Sequence, residues 1–597
     1  MNYSLSKSYL AICLLVWVHL TPASHGQNQS SPASPTGKPK LVVLVVFDQM
    51  RGDYIDKWKE LFGKDGFVRL ETEGAWFQNC HYPYACTATG PGHSSMLTGT
   101  CPDIHGIIGN SWYDAKEKTS VYCATTPRYK RVPPAPKKVS SGSDTNSSSS
   151  SSSRTQVSAF GAPDRLLAQS VGDALKTAYP QAKVVGISLK DRAAVLTAGK
   201  KADLALWLDT TTGEIVTSTY YRDSLPVWVT QFNQAKSIDR WFDKPWQHLR
   251  NDLEYEKYSG PDKMEGEGTG VKQGTTFPHP MNGGKEKISS TYYKALYNSP
   301  MGNEFLLQLA KETIRNEKLG QRDCPDLLAI SFSSNDSVGH AWGPDSQEVL
   351  DTTLRSDLIV AELLKELDHT VGQGQYLLAL SADHGICPLP EVSQKKNITA
   401  KRIVLTSIIQ HAELDLEKTF GDPNKDSLPD TKPLFWIEKI SGHWIYLNHT
   451  LIQNHQLKPE VIADHLTKFL AKQDGIGRAW SRSTLMKLKQ KSTKMDFIDA
   501  KMCRAFHPER SGDIGFINSP YFLMESALFS TGTSHGTPYP YDTHVPLLFY
   551  GPGIQKGIYT NTVTPQSIAA VFVKALGIPP MKTLEYPIPD KLWQTQK

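Results

Sequence analysis

Seven consecutive apolar residues, Leu41-Val42-Val43-Leu44-Val45-Val46-Phe47, run without a polar interruption and stop at Asp48. An unbroken run of that length predicts a strand covered on both faces, as in the interior of a parallel sheet. Similar runs recur at 183–189, 326–332, 376–380 and 545–550. Between them, helical patterns fall at 164–178, 303–317 and 350–367. Strands alternating with helices predict an α/β fold, a mostly parallel central sheet with helices on both faces.

Two stretches break the rhythm: 210–300, rich in Trp, Tyr and Gly, and 396–512, basic and mixed. Both are expected to be inserted segments that wall or cap a site. Residues 140–153 are almost pure Ser with Gly, Asp, Thr and Asn, and such a stretch can bury no core. At the N-terminus, Lys7, an apolar stretch over 9–18 and a small-residue exit over 22–26 have the form of a secretory signal. The apolar stretch is too short to favour a membrane span. The expected organisation is a signal peptide at 1–26, a flexible lead-in at 27–38 and one catalytic domain over 39–597, in a periplasmic or secreted protein.

Composition adds little beyond that. Hydrophobic residues make up 39% and charged residues 21%, as in a globular protein with a sizeable core. Removing residues 1–26 takes away Lys7 and no acid, so the net charge goes from +5 to +4. That bias is too weak to point to a nucleic-acid partner. Seven cysteines remain, and an oxidising compartment predicts that some pair, with Cys101 and Cys123, close in sequence, the favoured candidates.

The chemistry lies at the ends of the apolar runs. Asp48, Asp336 and Asp383 each follow one, where open α/β sheets bind their ligands. A lone Asp there could equally cap a helix. Asp336 and His340 share the i,i+4 spacing of one helical face, and His384 directly follows Asp383. His535 completes three carboxylates and three imidazoles, a ligand set that suits two divalent ions, zinc in particular. Thr89 opens Thr89-Gly90-Pro91-Gly92-His93, where Pro91 fits the first turn of a helix and backbone N–H groups cradle phosphate oxygens. A hydroxyl beside two metals is the equipment for hydrolysing a phosphate ester through a covalent intermediate.

These pieces resemble the alkaline phosphatase superfamily, and in particular the PafA-like alkaline phosphatases that use Thr instead of Ser. The resemblance is carried by Val-Phe-Asp48-Gln-Met-Arg-Gly-Asp, Thr89-Gly-Pro-Gly-His and His105-Gly-Ile-Ile-Gly-Asn110. Ser188-Leu-Lys190-Asp-Arg192, Asp336…His340, Asp383-His384-Gly and Ser534-His535-Gly536 complete it, in that order along the chain. It implies an alkaline-phosphatase-like fold and a di-zinc phosphomonoesterase with small-molecule phosphate monoesters as substrates. Asp336, His340 and His535 would hold one zinc, and Asp48, Asp383 and His384 the other. Thr89 would bridge them as nucleophile, while Asn110, Lys190 and Arg192 bind phosphate oxygens. Lys190 and Arg192, two apart in a segment expected to be extended, would point the same way, and two cations suit a monoester dianion. His544 rivals His535, and Thr87 rivals Thr89. Cys86 does not sit in the x-Pro-x-Arg setting of a formylglycine sulfatase. Arg51-Gly52-Asp53, though shaped like a cell-adhesion tripeptide, is read as a turn. The competing functions are a phosphodiesterase or nucleotide pyrophosphatase on the same scaffold, and a catalytically inactive secreted binding protein stabilised by metal.

Overall fold

The computed structural model describes residues 37–135, 160–425, 432–490, 495–525 and 530–593. The expected signal peptide, most of the lead-in and the Ser-rich stretch lie outside the described residues. A ten-stranded sheet forms the centre. Its strands are β1 (Leu41–Phe47), β2 (Ala75–Phe77), β3 (Arg131–Val132), β4 (Val184–Ser188), β5 (Leu204–Asp209), β6 (Glu214–Ser218), β7 (Asp326–Phe332), β8 (Tyr376–Ser381), β9 (Leu547–Tyr550) and β10 (Gly557–Tyr559). They lie in the order β10-β2-β9-β8-β1-β7-β4-β5-β6-β3. Every residue of β1 is buried, with β7 on one side and β8 on the other, both parallel to it. The uninterrupted apolar run therefore reflects a strand with no solvent face.

Parallel pairing extends from β8 through β1, β7 and β4 to β5. The flanks are mixed, and β9, read as one more strand of the parallel set, runs antiparallel to β8. The register explains this: Leu547 opposes Ser381, so the chain enters β9 at the edge where β8 ends. A loop carrying His535 must reach that edge, and the strand following it can only run back the other way.

Helix boundaries shift where caps decide them. The helix expected over 164–178 begins only at Val171, because Ser170 and Asp173 form a reciprocal capping box. The other two run over Pro300–Asn316 and Gln347–Leu367. The stretch 210–300 is not wholly an insertion, since β6 within it extends the main sheet. Within 396–525, a four-stranded sheet orders Ile437–Ser441, Trp444–Leu447, Ile514–Asn518 and Ile476–Ser481. It packs its own apolar core, including Ile452, Ile462, Leu466 and Phe516, with helices Leu405–Phe420 and Pro459–Leu470. Its third strand runs past residue 512, the end expected for that insertion.

The expectation of disulfides fails among the described residues, where all seven cysteines are free. Cys123 packs against Gly90 in the first turn of a helix, and Cys101 follows the other end of that same helix, Thr89–Thr98. Ten residues at 1.5 Å each separate the two ends by about 15 Å, more than twice a disulfide's reach. Among the described residues, no helix is long and apolar enough to cross a membrane.

Candidate metal centre

The C-terminal ends of four neighbouring strands, β8, β1, β7 and β4, deliver most of the polar residues singled out in the sequence. Asp383 and His384 follow β8, and Asp48 follows β1. Asp336 and His340 lie on helix Ser334–Trp342 after β7, while Lys190 and Arg192 follow β4. His535 arrives on the loop before β9. The six candidate ligands converge. His340 Nε2 lies 3.1 Å from Asp336 Oδ1, and His535 Nε2 lies 3.7 Å from the same oxygen. His384 Nε2 lies 3.4 Å from Asp383 Oδ2 and 3.6 Å from Asp48 Oδ1. The His384 and His535 rings stack with centroids 3.5 Å apart.

All three imidazoles are oriented in the same way. Nδ1 of His340 donates to Thr533 O at 2.7 Å, that of His384 to Gly385 O at 2.9 Å, and that of His535 to Thr87 O at 2.8 Å. A backbone acceptor on Nδ1 fixes the tautomer and leaves the Nε2 lone pair facing the carboxylates, as metal-ligating histidines require. Burial, then the neighbouring His384 and His340, pushes the His535 pKa well down, so the ring is neutral and ligand-competent. Burial and the nearby Asp383 charge push the Asp48 carboxyl well above its usual range. Three carboxylates packed this closely call for cations. Asp48 Oδ1 and His384 Nε2, both buried, make no hydrogen bond to any group among the described residues. Unpartnered acceptors in that position fit a metal, since each would otherwise bear a desolvation cost with nothing to offset it.

His93 approaches the same cluster, with Nδ1 3.2 Å from Asp383 Oδ2. Both its nitrogens are occupied, however, Nδ1 with Thr89 O and Nε2 with Ser331 Oγ. It therefore buttresses the site without a lone pair to offer. The rivals fall away on position. His544 bonds to Gln78 O and stacks on His81. The Thr87 hydroxyl donates to Thr537 O.

Thr89 is the first residue of its helix, after extended Ala88, and its hydroxyl caps nothing. Arg192 Nη2 donates to Thr89 Oγ1 at 3.2 Å. Gly90 N donates to Asn110 Oδ1 at 2.7 Å, which leaves the Asn110 amide nitrogen as that side chain's remaining donor. Gly92 is required by packing, since a Cβ there would lie 2.2 Å from Asp383 O. Gly385 is required for the same reason, against Tyr541 O, and not for an unusual turn after His384.

Lys190 and Arg192 both face the centre, but not from an extended segment. Lys190 is the residue before helix Asp191–Ala198, and Arg192 lies in its first turn. Lys190 Nζ bridges Asp48 Oδ2 at 2.6 Å and Asp336 Oδ2 at 2.5 Å. Two residues escaped the sequence reading. Gln49 donates through its backbone N to Asp383 Oδ1 at 3.0 Å and through Nε2 to Asp336 Oδ1 at 2.7 Å, so it touches both halves of the cluster. Tyr122 accepts from Arg192 Nη1 at 3.2 Å and donates to Asp191 Oδ1 at 2.7 Å. Adjacency to Asp48 was a readable hint for Gln49; Tyr122, on a separate hairpin, gave none. Cys86 is buried, with its thiol pushed up to about 12 by desolvation, and is no nucleophile. Arg51 and Asp53 pair with each other at 2.7 Å, and Gly52 packs against His544, so that tripeptide is a local turn.

Residues 42–527 match the family model described as type I phosphodiesterase / nucleotide pyrophosphatase. The chain belongs to that family, within the alkaline phosphatase superfamily. Among curated members, it is 33% identical to alkaline phosphatase PhoV of Synechococcus elongatus, over 95% of this chain and 96% of that one. It is also 33% identical to alkaline phosphatase PafA of Elizabethkingia meningoseptica, over 87% of this chain and 88% of that one. The crystal structure of wild-type PafA superposes with a TM-score of 0.82 at 31% identity, covering 94% of this chain and all of that one. The family's α/β fold is the one described above, a large mixed sheet with helices.

Proposed function

We propose that this protein is an exported di-zinc alkaline phosphatase, periplasmic or secreted, that hydrolyses phosphate monoesters through a phosphothreonine intermediate. The observation that carries the reading is the placement of Thr89. Its hydroxyl opens a helix, 3.2 Å from the Arg192 guanidinium, with Asn110 on the neighbouring amide of Gly90. Asp336, His340 and His535 would hold one ion, and Asp48, Asp383 and His384 the other. Bound there, zinc supplies positive charge that favours an ionised Thr89 hydroxyl and offsets charge on the leaving oxygen.

The chain's own groups do the rest. Thr89 Oγ1 attacks phosphorus as the P–O bond to the alcohol breaks, and the Arg192 N–H groups with the Asn110 amide hold the non-bridging oxygens. Water then cleaves the phosphothreonine to release phosphate and restore Thr89. Tyr122 keeps Arg192 aimed at that position. Transition states of this kind are loose, so positioning and charge stabilisation carry most of the rate. Lys190 and Arg192 together favour a dianionic monoester over a singly charged diester.

The test compares p-nitrophenyl phosphate with bis(p-nitrophenyl) phosphate, with metal analysis on the same sample. Faster monoester turnover by zinc-loaded protein is expected. Changing Lys190 and Arg192 to Ala together should cost the monoester far more than the diester, and equal losses would refute the charge argument. A preference for the diester would instead make the protein a phosphodiesterase. Metal-loaded protein that cleaves neither would be a binding protein.

A further inference from the structure

Beside the metal centre, a cavity of about 660 Å³ lies between the loop that carries His535 and the four-stranded sheet. Its floor is the loop that carries His535, with Ser534 and Thr537 on either side. Leu405, Thr406, Ile409 and Gln410 form one wall from a single helix, and Ile440, Phe516 and Phe522 face them. His443 ties the cavity to the site. Its Nε2 lies against the residue after His535, so that a Cβ on Gly536 would be only 2.9 Å away. Burial lowers the His443 pKa to about 4, so this ring adds no charge at neutral or alkaline pH.

We propose that this cavity is the leaving-group subsite of the phosphatase and that it selects monoesters of uncharged apolar or aromatic alcohols. The proposal rests on the hydrolytic reading above and goes further by naming the substrate class. Two observations carry it. The cavity and the metal centre share His535 as a wall, which places this space next to the centre for an alcohol departing from phosphorus on that side. Apolar atoms make up most of its wall, although about half of its lining residues are polar, and among the described residues it holds no Lys or Arg. The one acid, Glu525, is already engaged by Arg402 at 2.8 Å. A leaving group bearing further phosphates would find no cation there, whereas an aryl or alkyl group removes its own surface from water.

The test blocks the cavity without touching the metal centre. Thr406 and Gln410 are exposed on the wall helix, so Thr406→Trp and Gln410→Trp add bulk without disturbing a core. Each should lower kcat/KM for 1-naphthyl phosphate about tenfold, the loss expected for roughly 60 Å² of apolar contact. Turnover of glycerol 2-phosphate should stay within twofold of wild type. Calorimetry on zinc-loaded protein gives a readout independent of turnover. Affinity for 1-naphthylmethylphosphonate should fall by a similar factor, and that for methylphosphonate should hold. Wild-type protein that cleaves both esters, with variants that leave the naphthyl ester unaffected or depress both equally, would overturn the subsite. If wild type cleaves neither ester, the hydrolytic reading fails instead, and the two phosphonates still decide whether the cavity binds.

Discussion

Replacing Gln49 with Leu tests whether the metal centre depends on a residue that is itself no ligand. The Gln49 amide donates to Asp336 Oδ1 at 2.7 Å, while its backbone N–H, which the substitution leaves in place, holds Asp383. A hydrogen bond to a charged acceptor contributes about 1.5–3 kcal/mol. At about 1.4 kcal/mol per tenfold, its loss weakens metal binding by roughly 10- to 100-fold, the range seen when outer-shell partners of metal ligands are removed. The cluster does not collapse, because Lys190 still bonds Asp336 Oδ2 and His340 still lies 3.1 Å from Oδ1. Leu, like Gln, is unbranched at Cβ, so the positive φ of 71° at this position costs the variant little extra. The assay is competition for zinc against a chromophoric chelator, paired with activity measured across free zinc concentration. The variant should need about 10- to 100-fold more zinc and then regain most of its turnover. A metal affinity within twofold of wild type would refute the reasoning, as would a loss of activity that saturating zinc does not restore.

Other predictions follow from the same geometry. Thr89→Ala should abolish turnover of p-nitrophenyl phosphate while metal analysis finds the same zinc content; near-normal activity rules out Thr89 as nucleophile. Lys501, buried and bonded to Pro538 O and Thr543 Oγ1, has its pKa lowered to about 7 by desolvation. Its folded pKa lies below the unfolded value, so the unfolded chain binds the extra proton between about pH 7 and 10 and stability rises across that window. Thermal melts of wild type and Lys501→Met should diverge there by up to about 1.4 kcal/mol per pH unit, and parallel curves would remove Lys501 from the account. Thiol titration of unfolded protein lacking residues 1–26 should find seven free thiols, matching the seven unpaired cysteines; fewer would mean that pairs form which the fold does not show.

Much of this was legible in the chain because buried parallel strands write themselves as unbroken apolar runs. The polar residue that ends each run then sits at the edge where the site forms. Asp48, Asp336 and Asp383 could be found that way, and the i,i+4 spacing of His340 follows from the helix. The direction of β9 was hidden, since a short apolar run looks the same in either sense and only pairing with β8 fixes it. Lys190 and Arg192 were found by resemblance, but their setting was misjudged because the helix starts between them without a side-chain cap. Cys101 and Cys123 misled because closeness in sequence says nothing about a rigid helix standing between them. Gln49 and Tyr122 act through contacts made only after folding, and no local pattern marks those.

Asp48 lies near the start of the described residues and His535 nearer their end, yet the two converge on one cluster. A truncated product that stops before the loop carrying His535 would contain Thr89, the Arg192 guanidinium and five of the six candidate ligands while still lacking a complete cage. Any ion held there would therefore meet a finished site only once almost the entire polypeptide has emerged and the loop carrying His535 has docked.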